Sequence, residues 1–151
     1  MNAVMQWARR LGVVLVIGLG CDAPQALDGG VIIGEIDAYR LCDVNGVDVR
    51  LVARWLDCAA GEPDCEPPPA TTREGDRFSC PSAEGTRDLG VELPDPGVYR
   101  IEVHTAQASG PAKVECFVDP DSGEDRVELS ATQVREGAAV MLDDHGTCPE
   151  R

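Results

Sequence analysis

The chain has 151 residues, of which 43% are hydrophobic, and 27 acidic against 13 basic side chains give a net charge of −14 at pH 7. This length suits one domain with a core of its own. The 16 glycines and 11 prolines are too few for a low-complexity chain. An acidic surface repels phosphate backbones, and Lys113 is the only lysine. We therefore expect one globular domain and no nucleic-acid partner.

The first twenty residues have the pattern of an export signal. Met1–Arg10 carries Arg9 and Arg10 and no acid, and Leu11–Gly20 is an apolar run. A run of this length covers only about half of a bilayer core of roughly 30 Å, so it is too short for a membrane span. A basic start followed by a short apolar run predicts a signal peptide over residues 1–20. The adjacent arginines leave a twin-arginine signal as an alternative.

The residues that follow carry a resemblance to a known family. The run Leu19-Gly20-Cys21 resembles the lipobox of bacterial lipoproteins, in which a small residue precedes the lipidated cysteine. Gly18 stands where that family usually has leucine. The resemblance implies a lipid on Cys21, a tether over residues 21–30, and anchoring in a lipid bilayer of the bacterial cell envelope. Asp22 resembles the inner-membrane retention signal of enteric lipoproteins, a rule that does not transfer between bacterial groups, and we expect the outer membrane. An ordinary cleaved signal with a coincidental cysteine is the alternative.

The cysteine count agrees with a lipid on Cys21. Of seven cysteines, removing Cys21 leaves six, and an even set in an exported chain predicts a disulfide framework. The disulfide candidates are Cys42, Cys58, Cys65, Cys80, Cys116 and Cys148. Several connectivities are open, and we favour Cys58–Cys65 and Cys116–Cys148, with Cys42–Cys80 as the remainder. Structural zinc is the alternative, but the chain has no C-x-x-C spacing and only two histidines.

Apolar and polar residues alternate along most of the mature chain, which predicts half-buried strands. In Val47–Trp55 the odd-numbered residues from Val47 to Trp55 face inward, and in Val98–Thr105 the inward residues are Tyr99, Ile101 and Val103. The predicted strands are Val31–Tyr39, Val47–Trp55, Arg87–Leu93, Val98–Thr105, Ala112–Val118, Arg126–Ala131 and Ala138–Leu142. A short helix fits Ser130–Glu136. About seven strands separated by turns predict an all-β fold, an antiparallel β-sandwich over residues 31–148 with a long disulfide-stapled loop and a tail at 149–151.

One segment strengthens the sandwich prediction. Leu93–Val103 (LPDPGVYRIEV) is similar to a segment of transthyretin-like sandwiches, the carboxypeptidase regulatory-like and collagen-adhesin B-type modules. The resemblance implies that a proline-glycine turn feeds a strand whose tyrosine, Tyr99, packs inward. It implies a fold and no particular function.

Residues 59–86 interrupt the strand pattern. The segment includes Cys65, Pro67–Pro69 and Cys80, and Cys58 directly precedes it. A loop of this length is uncommon unless it is functional or disordered, and disulfides would order it. We expect this loop to form the contact surface for a protein partner in the envelope. A stapled spacer between two strands is the alternative.

Motifs of catalysis are absent from the sequence. His104 is predicted on the outer face of a strand beside Glu102 and Arg100, where histidines are usually solvated, and His145 follows Asp143 and Asp144. The chain has no serine-hydrolase elbow, zinc-peptidase motif or glycine-rich phosphate loop. We therefore expect a protein that is not an enzyme.

An acidic run is the one candidate metal site. The candidates are Asp119, Asp121, Glu124 and Asp125. Closely spaced carboxylates in a turn suit calcium, although the run does not match an EF-hand. The Asp143–His145 turn could join it only if the fold brings the two turns together. A plain hairpin turn is the alternative, and no other cofactor is predicted.

Carbohydrate binding would need exposed aromatic rings. Phe78, in the long loop, and Phe117, facing outward, are the two rings expected outside the core. The sequence therefore predicts a membrane-anchored cell-envelope lipoprotein that acts as a non-catalytic binding or structural module. The alternative is a calcium- or carbohydrate-binding β-sandwich module at the cell surface.

Overall fold

The computed structural model describes residues 29–43, 45–62 and 64–150. These residues form short strands and two helices of one to two turns each. The strands are β1 (Gly30–Asp37), β2 (Gly46–Asp57), β3 (Thr72–Ser79), β4 (Thr86–Leu93), β5 (Gly97–Gln107), β6 (Lys113–Phe117), β7 (Val127–Leu129), β8 (Ala139–Leu142) and β9 (His145–Thr147). The helices are α1 (Ala38–Asp43) and α2 (Ala131–Glu136). The predicted signal peptide, Cys21 and the tether up to residue 28 lie outside the described residues.

The strands form two sheets, as the predicted sandwich requires. One sheet has the order β4-β1-β8 and the other β3-β2-β5-β6-β9, with β7 also paired to β5. Strands β1 and β8 run parallel, in contrast to the antiparallel prediction, whereas every other pairing in the described residues is antiparallel. The all-β sandwich is confirmed, with nine strands in the described residues in place of about seven.

The core lies between the sheets and follows the predicted alternation. Its fully buried side chains include Ile32, Ile36, Val49, Leu51, Leu93, Ile101, Val103 and Leu129. Tyr99 is 3% exposed, as the family resemblance implies, and its hydroxyl donates to the Asp95 carbonyl at 2.7 Å. Burial, together with the nearby Asp95 carboxylate, raises the pKa of Tyr99 to about 12. At the start of β2 the alternation fails, because Val47, predicted inward, is 46% exposed.

Strand β3 corrects the prediction that residues 59–86 form one long disulfide-stapled loop, because Thr72–Ser79 is a strand. Its sequence is polar, and Phe78 is its one buried side chain among the described residues, so it shows no apolar alternation. The Asp76 carboxylate accepts the Gly90 N–H at 2.8 Å, and Gly75 lies against the Gly90 carbonyl. Strand β3 therefore belongs to one sheet and covers the edge of β4 in the other.

The predicted strand Val31–Tyr39 ends early because α1 begins at Ala38. The Asp37 carboxylate accepts the Arg40 N–H at 2.9 Å, which caps the first turn. Ala38 and Leu41, one helical turn apart, are both buried. The helix therefore replaces the last two residues of the predicted strand. The predicted helix near Ser130 is confirmed as α2, where Ser130 and Gln133 form a capping box.

Strand β6 carries the main error in the predicted faces. Phe117, predicted outward, is 3% exposed and Glu115 lies on the same inward face. Cys116 is buried on the opposite face by its disulfide, while Val114, predicted inward, is 42% exposed. The inward face predicted from the apolar pattern is wrong because a charged residue, Glu115, lies at an interior position.

Three disulfides join the six cysteines of the domain. The pairs are Cys42–Cys80, Cys58–Cys65 and Cys116–Cys148, the pairs favoured from the sequence. Cys42 lies in α1 and Cys80 directly follows β3, so this bond fixes the helix to the sandwich. In the part of the chain that the structure describes, no helix has the length and apolar character needed to cross a bilayer.

We expect Gly34→Ala to destabilise the fold. Gly34 lies on the inward face of β1, and a Cβ there would collide with the Phe117 ring. Overpacking of this kind costs about 1–3 kcal/mol of unfolding free energy, measured by urea denaturation. Gly146→Ala, on β9, is the matched control, because a Cβ there meets nothing within 4 Å. Equal stability of the two variants would contradict this account of Gly34.

Candidate functional site

The turn over residues 143–145 brings the two acidic segments of the sequence together. The Val118 N–H donates to the Asp144 carbonyl at 3.0 Å, and His145 pairs with Phe117 across β9 and β6. The turn therefore lies beside the acidic run that begins at Asp119. It separates two clefts, both of which are lined by Asp143 and Asp144.

The first cleft, called the edge cleft below, has a volume of about 330 Å³ and lies between β7 and the outer edge of β8. Its base is apolar and is formed in part by Phe117, Val127 and Leu142, which are buried or half-buried. Its rim is acidic and exposed. The carboxylates that line it are Asp119, Glu124, Glu128, Asp143 and Asp144, against the single guanidinium of Arg126.

The second cleft, the far-end groove, has a volume of about 490 Å³ and lies between α1 and the residue 143–145 turn. Tyr39 and His145 are among its lining residues. Tyr39 is 58% exposed, its ring lies against Gly85, and its hydroxyl donates to the Ala83 carbonyl at 3.3 Å. The groove therefore presents one exposed aromatic ring, held by the loop before β4.

A buried carboxylate, Glu115, lies beside the residue 143–145 turn, in contact with His145. Glu115 accepts two hydrogen bonds from Arg40, at 2.7 and 2.6 Å, and one from His145 Nδ1 at 2.7 Å. Burial raises the pKa of Glu115, but these hydrogen bonds outweigh it and the net pKa lies below the usual value. Glu115 is 9% exposed, so its charge is stabilised only while both partners are in place.

His145 has no free ring nitrogen for proton transfer. Its Nε2 accepts the backbone N–H of Asp37 at 3.2 Å, so in the neutral ring the proton lies on Nδ1, which donates to Glu115. The side chain is 5% exposed. Its contacts fix the start of β9 against the start of α1, which is a structural role.

A second histidine cluster lies on the outer face of the larger sheet. Glu102, predicted to face outward, lies on this face but is only 4% exposed. It accepts hydrogen bonds from His104 Nε2 at 2.7 Å and from Arg54 at 3.1 and 3.3 Å. The hydrogen bond from His104 is the largest influence, and with Arg54 it outweighs burial and lowers the pKa of Glu102 to about 2. The two histidines therefore lie on opposite faces of this sheet and share no site.

The four predicted calcium ligands do not converge. Asp119 Oδ1 accepts the N–H groups of Ser122 and Asp121, both at 2.9 Å, and these bonds lower the pKa of Asp119. Asp125 is buried and forms an ion pair with Arg100. Within the described ranges, no three His, Cys, Asp or Glu side chains are placed to hold a metal ion. The run adopts a turn that its own Asp119 side chain stabilises.

The aromatic rings predicted for sugar stacking are both in the core. Phe78 is 7% exposed and Phe117 is 3% exposed, because β3 and β6 turn them inward. Tyr39, in the far-end groove, is the exposed ring that the sequence did not indicate. Glu115 and Arg40 were also missed, since 75 residues separate them and neither stands in a motif.

Comparison of the chain with protein-family models, curated proteins and solved structures found no match to any of the three. The function therefore rests on the residues and their geometry.

We expect protonation of Glu102 to lower the stability of the fold at acid pH. A carboxylate whose pKa falls to about 2 on folding stabilises the native state above its usual pKa near 4.5, and this contribution is lost as pH falls through about 2. Because Arg54 is 46% exposed and screened, we expect a contribution on the order of 2 kcal/mol. Urea denaturation at several pH values should show Glu102→Gln less stable than wild type at pH 7 and nearly equal to it at pH 2. Glu92→Gln, on an exposed residue of β4, is the control, and a pH-independent difference for Glu102→Gln would contradict the prediction.

Proposed function

We propose that the chain is a lipid-anchored lipoprotein of the bacterial cell envelope that acts as a non-catalytic binding module. The observation that carries the proposal is the pairing of six cysteines into three disulfides, which leaves Cys21 as the seventh. Disulfides persist in exported proteins, and an exported chain with one remaining cysteine behind an apolar run fits lipidation at that residue. The apolar run and Gly20 supply the rest of the signal.

The geometry of the sandwich supports an orientation on the membrane. Gly30, at the start of β1, lies against Leu129, and Leu129 pairs with Gly97 at the start of β5. Gly97 in turn lies beside the Asp57 carbonyl, where β2 ends. The chain therefore enters the domain at the same end as the loop over residues 58–71, and this end is called the entry end below. The nine residues between Cys21 and Val31 reach at most about 30 Å, so the entry end would face the bilayer.

The opposite end, called the far end, carries α1 and the loop before β4. The Ala38 N–H donates to the Gly85 carbonyl at 2.8 Å, and Cys42–Cys80 ties the two segments together. The predicted contact segment over residues 59–86 is thus divided between the two ends. On an anchored molecule the far end, with Tyr39 and its groove, is the part open to a protein partner, and the residue 58–71 loop acts as the spacer.

We expect the full chain, expressed in a bacterium with two membranes, to yield a mature protein that begins at an acylated Cys21. The mass of the N-terminal peptide and partition into the detergent phase of Triton X-114 measure this directly. Cys21→Ala, exported behind an ordinary cleavable signal peptide in place of residues 1–20, should leave the protein in the aqueous phase while the six other cysteines remain oxidised. Export of the wild-type protein without added acyl mass would contradict the proposal.

The chain's single lysine allows the orientation to be tested in the same preparation. Lys113 is exposed at the far end, so a bulky amine-reactive reagent should label it equally fast in anchored protein and in Cys21→Ala. The matched variant combines Lys113→Arg with Ala60→Lys and moves the amine to the entry end. Its labelling should slow when the protein is anchored in vesicles. Equal rates for both positions in both forms would overturn the orientation.

A further inference from the structure

The two open sides of the sandwich differ. On one side β3 covers the edge of β4, through Gly75 and the Asp76–Gly90 hydrogen bond. On the other side β8 is the last strand of its sheet, and in the described part of the chain it pairs only with β1. An edge strand presents N–H and C=O groups along its free side, which can pair with another strand. The edge cleft lies beside the last two residues of β8, Met141 and Leu142.

The side chains of β8 alternate as in a strand that accepts a neighbour. Ala139 and Met141 are exposed, and Val140 and Leu142 are half-buried. Met141 is 60% exposed, more than any other large hydrophobic side chain in the described residues. Together with the half-buried base of the cleft, it offers apolar surface to a chain lying beside β8.

The charges of the rim select the chemistry of the occupant. Five carboxylates line the edge cleft and one guanidinium opposes them. A second copy of this acidic chain would bring like charge to the rim, and the predicted tether carries Asp22 and Asp28 and no basic residue. Both are disfavoured by repulsion, whereas a basic segment is attracted and steered into the cleft.

We propose that the edge cleft binds an extended segment of a partner protein in which lysine or arginine alternates with apolar residues, and that this segment pairs with the free edge of β8. The main-chain hydrogen bonds supply affinity, the apolar side chains fill the base, and the basic side chains meet the rim. This inference names the partner for the proposed binding module and rests on that proposal only for its biological setting.

The test uses exported Cys21→Ala protein and a synthetic ten-residue peptide of alternating valine and lysine, with binding followed by calorimetry and by amide exchange. We expect binding that weakens with salt and slows amide exchange in β8. A peptide with glutamate in place of lysine should not bind. N-methylation of one alternate set of peptide amides should abolish binding, and methylation of the other set should leave it intact, because only one set faces β8.

Variants of the rim test the placement of the peptide. Glu124→Gln with Asp143→Asn should weaken binding about tenfold. The matched control, Asp88→Asn with Glu92→Gln, removes the same charge from exposed residues on β4 and should change binding little. If the two double variants weaken binding equally, or if both methylated peptides bind as well as the parent, attraction is general and the inference is overturned. Self-association of the protein at the β8 edge would also overturn it.

This outcome is separate from that of the lipidation experiment. If the peptide pairs with β8 but the protein carries no lipid, the inference about the edge cleft stands and the lipoprotein proposal fails. If the protein is lipidated but does not bind the peptide, the lipoprotein proposal stands and the inference about the edge cleft fails.

Discussion

Two long-range disulfides are the constraint on which this structure depends. Cys42–Cys80 joins residues 38 apart and Cys116–Cys148 residues 32 apart. In the chain-entropy model each disulfide stabilises the fold by about 4 kcal/mol, because it lowers the conformational entropy of the unfolded chain. The first holds α1 against the end of β3, and the second holds the segment after β9 on β6. Their effect converges on one side chain, because α1 carries Arg40, β9 carries His145, and both bind Glu115.

The buried charge and the cross-links support each other. A carboxylate between two sheets is costly unless its partners are fixed, and the disulfides fix the segments that supply those partners. In return, the bonds to Glu115 hold α1 and the residue 143–145 turn in the positions that the disulfides allow. The same turn separates the edge cleft from the far-end groove. The shape of both surfaces therefore follows from this buried cluster of Glu115, Arg40 and His145.

The sequence predicts most of the core strands but few of the residues that form the two clefts. Alternation predicted the strands of the core, because Leu51, Ile101 and their neighbours are apolar on one side only. It could not predict β3, whose pairing depends on backbone hydrogen bonds to β2 and on Asp76, or the inward face of β6, where Glu115 is satisfied by distant residues. The acidic run over residues 119–125 is recognisable in the sequence, but its proximity to the residue 143–145 turn depends on the pairing of β6 with β9. Long-range contacts of this kind have no local signal, and they decide where the clefts lie.

The most direct measurement of the central claim is disulfide mapping of the native protein. Free thiols would be alkylated first, the protein digested without reduction, and the linked peptides identified by mass. The account predicts that none of the six cysteines of the domain is alkylated, and that the linked peptides join Cys42 with Cys80, Cys58 with Cys65 and Cys116 with Cys148. Six alkylated cysteines, or a peptide that joins a different pair, would contradict it.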